Sequence, residues 1–222
     1  MINWNNIEDS LILTYQNNQK EISNLEIDYL KKAFSFTEDL WLEQFNKIDK
    51  IKLVLLSEAP LFGPNKSYFY NPETKFSSFF YFKDIEAFDI QSQKKDYNNK
   101  QFVINALNKR GFIILDIFPY ALNQNNTQLN YNTLKKSDYK ELFKSNLDTY
   151  INTKLELIKS KSSNNIVFSY RYKRLKDQLH KLWENKLVEY NFIQQNESLE
   201  ALNNNMSLNK AKLKEIIESN QI

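Results

Sequence analysis

Cysteine is absent from the 222 residues, histidine occurs once, glycine twice and proline four times. Without cysteine there is no disulfide framework, no thiolate nucleophile and no thiolate zinc site. The single histidine, His180, excludes multi-histidine metal sites. It also argues against a Ser-His-Asp triad, because it falls in a helical pattern far from any nucleophile signature. Neither a metal nor a cofactor is expected. So few glycines and prolines exclude linker-rich and collagen-like chains. No apolar run approaches the roughly eighteen residues of a membrane span. The start, Met1-Ile2-Asn3-Trp4-Asn5-Asn6, lacks the basic and apolar regions of a secretory signal. A cytoplasmic protein with no membrane partner is therefore expected. No heptad series or internal repeat occurs, so the expected state is a monomer.

What remains is 41% hydrophobic, 14% aromatic and 26% charged, enough for one folded domain spanning 1–222. The net charge of +3 permits contact with a polyanion, but a real electrostatic footprint needs clustering as well as sign. Asparagine occurs 30 times, and its tracts at 123–126 and 203–205 read as loops. This abundance reads as compositional rather than functional.

The first 50 or so residues read as helical. Asn24 can cap a helix carrying Leu25, Tyr29, Leu30 and Ala33, and Thr37 can start another with Leu40, Trp41, Phe45 and Ile48. The period then changes. Ile51 to Leu56 is a short apolar run suited to a buried strand, and Phe112–Leu115, Ile166–Phe168 and Leu187–Ile193 follow the same pattern. Helical patterns lie between them at about 100–109, 137–159 and 172–184, with a last one near 207–218. Strands separated by helices predict an α/β fold, with a central four-stranded, mainly parallel sheet and helices on both faces. Such sheets bind ligands at the carboxyl ends of their strands.

All glycines and prolines lie between Pro60 and Pro119 and follow the first two strands. The first strand enters Ser57-Glu58-Ala59-Pro60-Leu61-Phe62-Gly63-Pro64, a segment stiffened by proline. The second enters Asp116-Ile117-Phe118-Pro119, which places an acid at the same edge. Plain turns have this composition too, and either acid can cap a helix or face water.

The segment Lys52 to Asn65 resembles the first motif of the uracil-DNA glycosylase superfamily, whose thermostable branch carries Gly-Glu-Ala-Pro-Gly where this chain has Ser57-Glu58-Ala59-Pro60-Leu61. Gly111-Phe112-Ile113-Ile114-Leu115-Asp116 is similar to the second motif, with Asp116 in place of its asparagine. The third motif's His-Pro-Ser is replaced by Ser169-Tyr170-Arg171-Tyr172-Lys173-Arg174-Leu175. The resemblance implies a monofunctional, base-flipping DNA glycosylase fold and activity, with DNA as partner.

Under that resemblance Glu58 orients the attacking water and stabilises the cationic sugar, while Arg171 or Lys173 replaces the histidine that meets the departing base. A solvated helix start or phosphate contacts are the other reading of those two cations. Lys66, Lys173 and Arg174 are candidate DNA contacts. Leu175 is a candidate wedge for the base stack or a core residue. Phe69 or Tyr70, beside Tyr68, can stack the flipped base, and the aromatic stretch Phe76, Phe79, Phe80, Tyr81 and Phe82 is either a core helix or part of that platform. Asp116, catalytic or base-reading, can accept from an amino group and so favours cytosine over uracil. Leu61 stands where the family uses tyrosine to exclude C5 substituents. Together these replacements point to a C5-modified cytosine of phage DNA and a role in antiviral defence. The alternatives are a uracil-DNA glycosylase in DNA repair, a silent nucleic-acid-binding domain of the same fold, and an unrelated α/β protein. His180, on a face with Arg174, Lys176 and Lys181, reads as incidental.

Overall fold

Helix α1, Trp4–Asn17, opens the chain and is followed by α2, Asn24–Lys47. The computed structural model describes residues 2–74, 86–90, 99–195, 199–202 and 209–222. The start of α2 belongs to Ser23 rather than Asn24. The Ser23 hydroxyl accepts from the Glu26 backbone N–H, and the Glu26 carboxylate accepts from that of Ser23, a reciprocal capping box. Thr37 starts no second helix. Its hydroxyl donates to the carbonyls of Ala33 and Phe34 at 2.9 and 3.2 Å, which keeps it inside a continuous helix.

Strand β1, Ile51–Ser57, is buried along its length except at Lys52. Burial on both faces of a strand is what a covered parallel sheet requires, and it explains the unbroken apolar run. After it come α3 (Lys100–Lys109), β2 (Phe112–Asp116) and α4 (Lys136–Ser145). A π turn at Leu147–Ile151 leads into α5 (Asn152–Ser160). Strand β3 (Ser162–Tyr170), α6 (Lys173–Glu189), the two-residue β4 (Glu200–Ala201) and α7 (Lys210–Ser219) complete the order. The sheet runs β2-β1-β3-β4 with every pair parallel, as the alternation of strands and helices predicted. The register sets Ser57 opposite Asp116 and Leu56 opposite Tyr170.

The expected fourth strand at Leu187–Ile193 is helix and turn. Leu175, Leu179, Trp183 and Leu187 recur every fourth residue and are all buried, so the run continues the inner face of α6. Asn191 then takes a left-handed φ of 60°. The N–H groups of Asn191 and Phe192 close on the carbonyls of Val188 and Leu187, a Schellman stop. The helical pattern at 137–159 is real but divided, because the π turn interrupts it and brings the Tyr150 hydroxyl to the Asp116 carbonyl at 3.2 Å.

Gly111 opens β2 with φ of 74°, and a Cβ there would lie 2.3 Å from the Lys50 carbonyl oxygen. Backbone cannot yield as a flexible side chain can. Gly111→Ala is therefore expected to lower stability by roughly 3 kcal/mol, from the left-handed φ and the clash together. The midpoint of urea denaturation measures it, and an unchanged midpoint would show that the β1–β2 entry relaxes freely.

Candidate active site

From β1 the chain crosses to β2 on one side, and from β2 it returns past β1 to β3 on the other. Crossovers of one hand, moving in opposite directions, place their helices on opposite faces. The carboxyl ends of β1 and β3 thus flank the switch point, where open parallel sheets hold ligands. Past the strand ends the backbone pairing continues. Ile117 and Phe118 N–H donate to the Ser57 and Glu58 carbonyls at 2.8 and 3.0 Å, and Arg171 N–H donates to Leu56 at 2.9 Å. Glu58 is consequently held on a rigid extension of β1.

One oxygen of Glu58 is fully engaged. Oε1 accepts from Tyr139 Oη at 2.6 Å and from Arg174 Nη2 at 2.5 Å. Arg174 also donates to Tyr139 Oη at 2.6 Å and, through Nη1, to Asn132 Oδ1 at 2.9 Å. The Tyr139 hydroxyl has one proton to give. It lies 2.9 Å from the Tyr131 carbonyl, and the nearer, charged carboxylate is the stronger acceptor. Burial first, and then the charge of Glu58, holds this hydroxyl protonated well above the usual phenol range. Among the described residues no hydrogen bond reaches Glu58 Oε2.

A cleft of about 350 Å³ opens beside this carboxylate, lined by Glu58 and Leu61 from the segment after β1 and by Asn123, Asn130, Tyr131 and Asn132 from the segment after β2. That volume is at the low end of small-molecule sites, which run from about 300 to 1,000 Å³. Leu61 is 47% exposed at the mouth. The Tyr131 ring is stacked on Phe118 at 5.5 Å between centroids. The asparagine tract at 123–126, read from composition as incidental, supplies part of this wall.

Asp116 does not line the cleft. It is 5% exposed and accepts from the Tyr68 hydroxyl at 3.1 Å, so the aromatic partner of this acid is Tyr68 rather than Phe69 or Tyr70. Phe69 and Tyr70 are core residues. The Phe69 ring meets Phe112, and Tyr70 Oη accepts from the Ile114 N–H at 2.8 Å. The stretch Phe76, Phe79, Phe80, Tyr81 and Phe82 and the asparagines at 203–205 lie outside the described residues. Arg171 is buried beside Tyr172, its guanidinium 4.7 Å from that ring, and is not on Glu58. The cation that meets Glu58 is Arg174. Lys173 is exposed at the start of α6. Leu175 points into the core with Leu179 and Trp183, which removes it as a wedge. Lys66 has a left-handed φ of 45° and holds its ammonium 5.0 Å from the Phe36 ring. His180 packs edge-on against Tyr170. Tyr139 and Asn132, central to the cluster, carry no signal in the sequence beyond a buried helical position and one asparagine among many.

Burial raises the Asp116 carboxyl to about 6, against the pull of Tyr68, Ser57, Lys154 and Arg171. Folded Asp116 therefore keeps its proton between about pH 4 and 6, where the unfolded chain has released it. Below that window both states are neutral and nothing is lost. Above it a buried charge costs on the order of 3 kcal/mol. Asp116→Asn, which still accepts from Tyr68, is expected to be more stable than wild type at about pH 8 and equal to it near pH 4. Urea midpoints at the two pH values check this, and an Asn variant weaker at the higher pH would show that the charge is needed.

No family model, curated protein or solved structure matches this chain. Among the described residues no three acidic, histidine or cysteine side chains cluster as metal ligands, and no helix is long and apolar enough to cross a membrane.

Proposed function

We propose that the chain is a DNA glycosylase that extrudes a modified pyrimidine and hydrolyses its N-glycosidic bond, acting as a cytoplasmic monomer. One observation carries the reading: Glu58, at the switch point, has Oε1 locked by Tyr139 and Arg174 while Oε2, beside a cleft, has no bond among the described residues. Rupture of the bond makes the sugar cationic, and a fixed carboxylate stabilises that charge and orients the attacking water. Arginine and tyrosine on Oε1 fix the carboxylate in place, so that it faces the developing charge without reorganising. Leu61, exposed and unbranched at Cβ, leaves room for a C5 substituent. With Asp116 closed off by Tyr68, the base edge meets side-chain amides. These offer both donors and acceptors and so match cytosine or uracil equally. Room at C5 then sets the preference, and a C5-modified cytosine of phage DNA fits a defence role.

A silent DNA-binding domain is the second reading, favoured by the Arg174 ion pair that neutralises Glu58 in the free protein. Incubating single-stranded and duplex oligonucleotides carrying uracil, cytosine, hydroxymethylcytosine or its glucoside, followed by alkali, separates the readings. Scission at the modified cytosines is the expected result. Scission only at uracil would assign the chain to repair, and binding without scission on any substrate would assign the silent domain.

A further inference from the structure

Departure of the base needs a donor as much as the sugar needs an anion, and the cations offered by the sequence do not supply it at the cleft. Arg171 is buried against Tyr172, and Lys173 is not part of the cleft wall. Arg174 is committed through both terminal nitrogens, Nη2 to Glu58 and Tyr139 and Nη1 to Asn132. We propose that Asn132 is a further catalytic residue, whose side-chain N–H donates to the pyrimidine O2 as negative charge builds there. This role rests on the glycosylase reading.

The amide orientation is fixed by chemistry. Arginine has no acceptor, so the atom facing Arg174 Nη1 at 2.9 Å has to be Asn132 Oδ1, which leaves Nδ2 on the other side. Among the described residues Nδ2 has no hydrogen-bond partner, and Asn132 is part of the cleft wall. Its backbone N–H donates to Asn130 Oδ1 at 3.0 Å, which holds the residue in an Asx turn. A cation on Oδ1 draws electron density from the amide and strengthens Nδ2 as a donor. The same guanidinium therefore fixes the acceptor for the sugar, Glu58 Oε2, and the donor for the base, Asn132 Nδ2. The C1′–N1 bond breaks with its electron pair leaving on the base, where Nδ2–H meets O2. Water adds to C1′, and its proton passes to Glu58 and then to solvent or the released base.

Single-turnover rates on paired substrates test this: uracil against 5-fluorouracil, and 5-methylcytosine against 5-fluorocytosine, each in the same oligonucleotide. Fluorine makes the base a better leaving group and so less dependent on a donor. Asn132→Ala and Asn132→Asp, both lacking the N–H, are expected to slow the poorer leaving group about 10²-fold and the fluorinated one by about 10-fold or less. Oligonucleotide affinity is expected to stay unchanged in Asn132→Ala, which alters no charge. Equal slowing across each pair, or a loss confined to affinity, would overturn the role of Asn132 and leave the glycosylase reading standing. A wild-type protein that releases no base from any substrate would overturn both.

Discussion

Lys154→Ala is expected to lower the free energy of unfolding by about 3–5 kcal/mol, the range for removing one partner of a buried ion pair. Lys154 on α5 is 1% exposed and Glu38 on α2 is 9% exposed, with Nζ 2.6 Å from Oε2. The ammonium also lies 3.4 Å from the centre of the Trp41 ring, whose Nε1 donates to the Ile114 carbonyl of β2 at 2.7 Å. Loss of the lysine strands the Glu38 charge and empties the space against Trp41 in the same step. Burial draws Lys154 down to about 8, although Glu38 and Asp116 pull it upward. Desolvation therefore outweighs attraction, and the pair is costly to break without being a large net source of stability. It follows that Glu38→Leu combined with Lys154→Met is expected to restore most or all of the loss. Urea denaturation of the two variants measures both, and a double variant as weak as Lys154→Ala would show that the charges themselves stabilise the fold.

That ion pair marks a boundary in what the chain discloses. Strands β1 and β2 and helix α3 were legible because their burial is local: an apolar run covered on both faces, or an apolar stripe at helical spacing, has the same meaning in any context. The run at Leu187–Ile193 misled because leucine and valine at the end of an amphipathic helix resemble a short strand until the fourfold spacing from Leu175 is followed through. Strand β4 has two residues and pairs only at Ser169 and Tyr170, too little to leave a pattern. Parallel order across the sheet came from the alternation of elements, whereas the pairing of Glu38 with Lys154, 116 positions apart, is set by tertiary packing alone.

The site divides in the same way. Glu58 was legible because an acid directly after a buried strand and before proline is local chemistry. Asp116 was legible as an acid at the same edge, but its closure by Tyr68 depends on how the loop after β1 folds back over β2. Arg174 stood among the candidate DNA contacts. Its pairing with Glu58 depends on α6 starting directly after β3, the strand that lies beside β1 at the switch point, which no spacing in the chain encodes. Abundance concealed Asn132: thirty asparagines look like drift, and only the guanidinium beside it distinguishes this one.

If the chain is the glycosylase proposed above, Glu58→Gln is expected to slow base release by about 10²–10³-fold or more, the scale for losing one preorganised electrostatic contact to the transition state. Glutamine keeps the shape and still offers an oxygen to Tyr139 and Arg174, so the cluster is retained and the charge alone is removed. Stability within about 0.5 kcal/mol of wild type is expected, since Glu58 is 21% exposed and its ion pair is open to solvent on the arginine side. The substitution also removes the negative charge that neutralises Arg174. That guanidinium, 43% exposed, then becomes available to a phosphate. Oligonucleotide binding is accordingly expected to tighten at low salt, with the slope of log affinity against log salt steeper by up to about 0.9. The two effects oppose each other, weaker chemistry with stronger binding, whereas misfolding would weaken both. Base release undiminished in Glu58→Gln would remove the carboxylate from the reaction, and a salt slope identical to wild type would show that Arg174 stays on the amide and does not reach the DNA backbone.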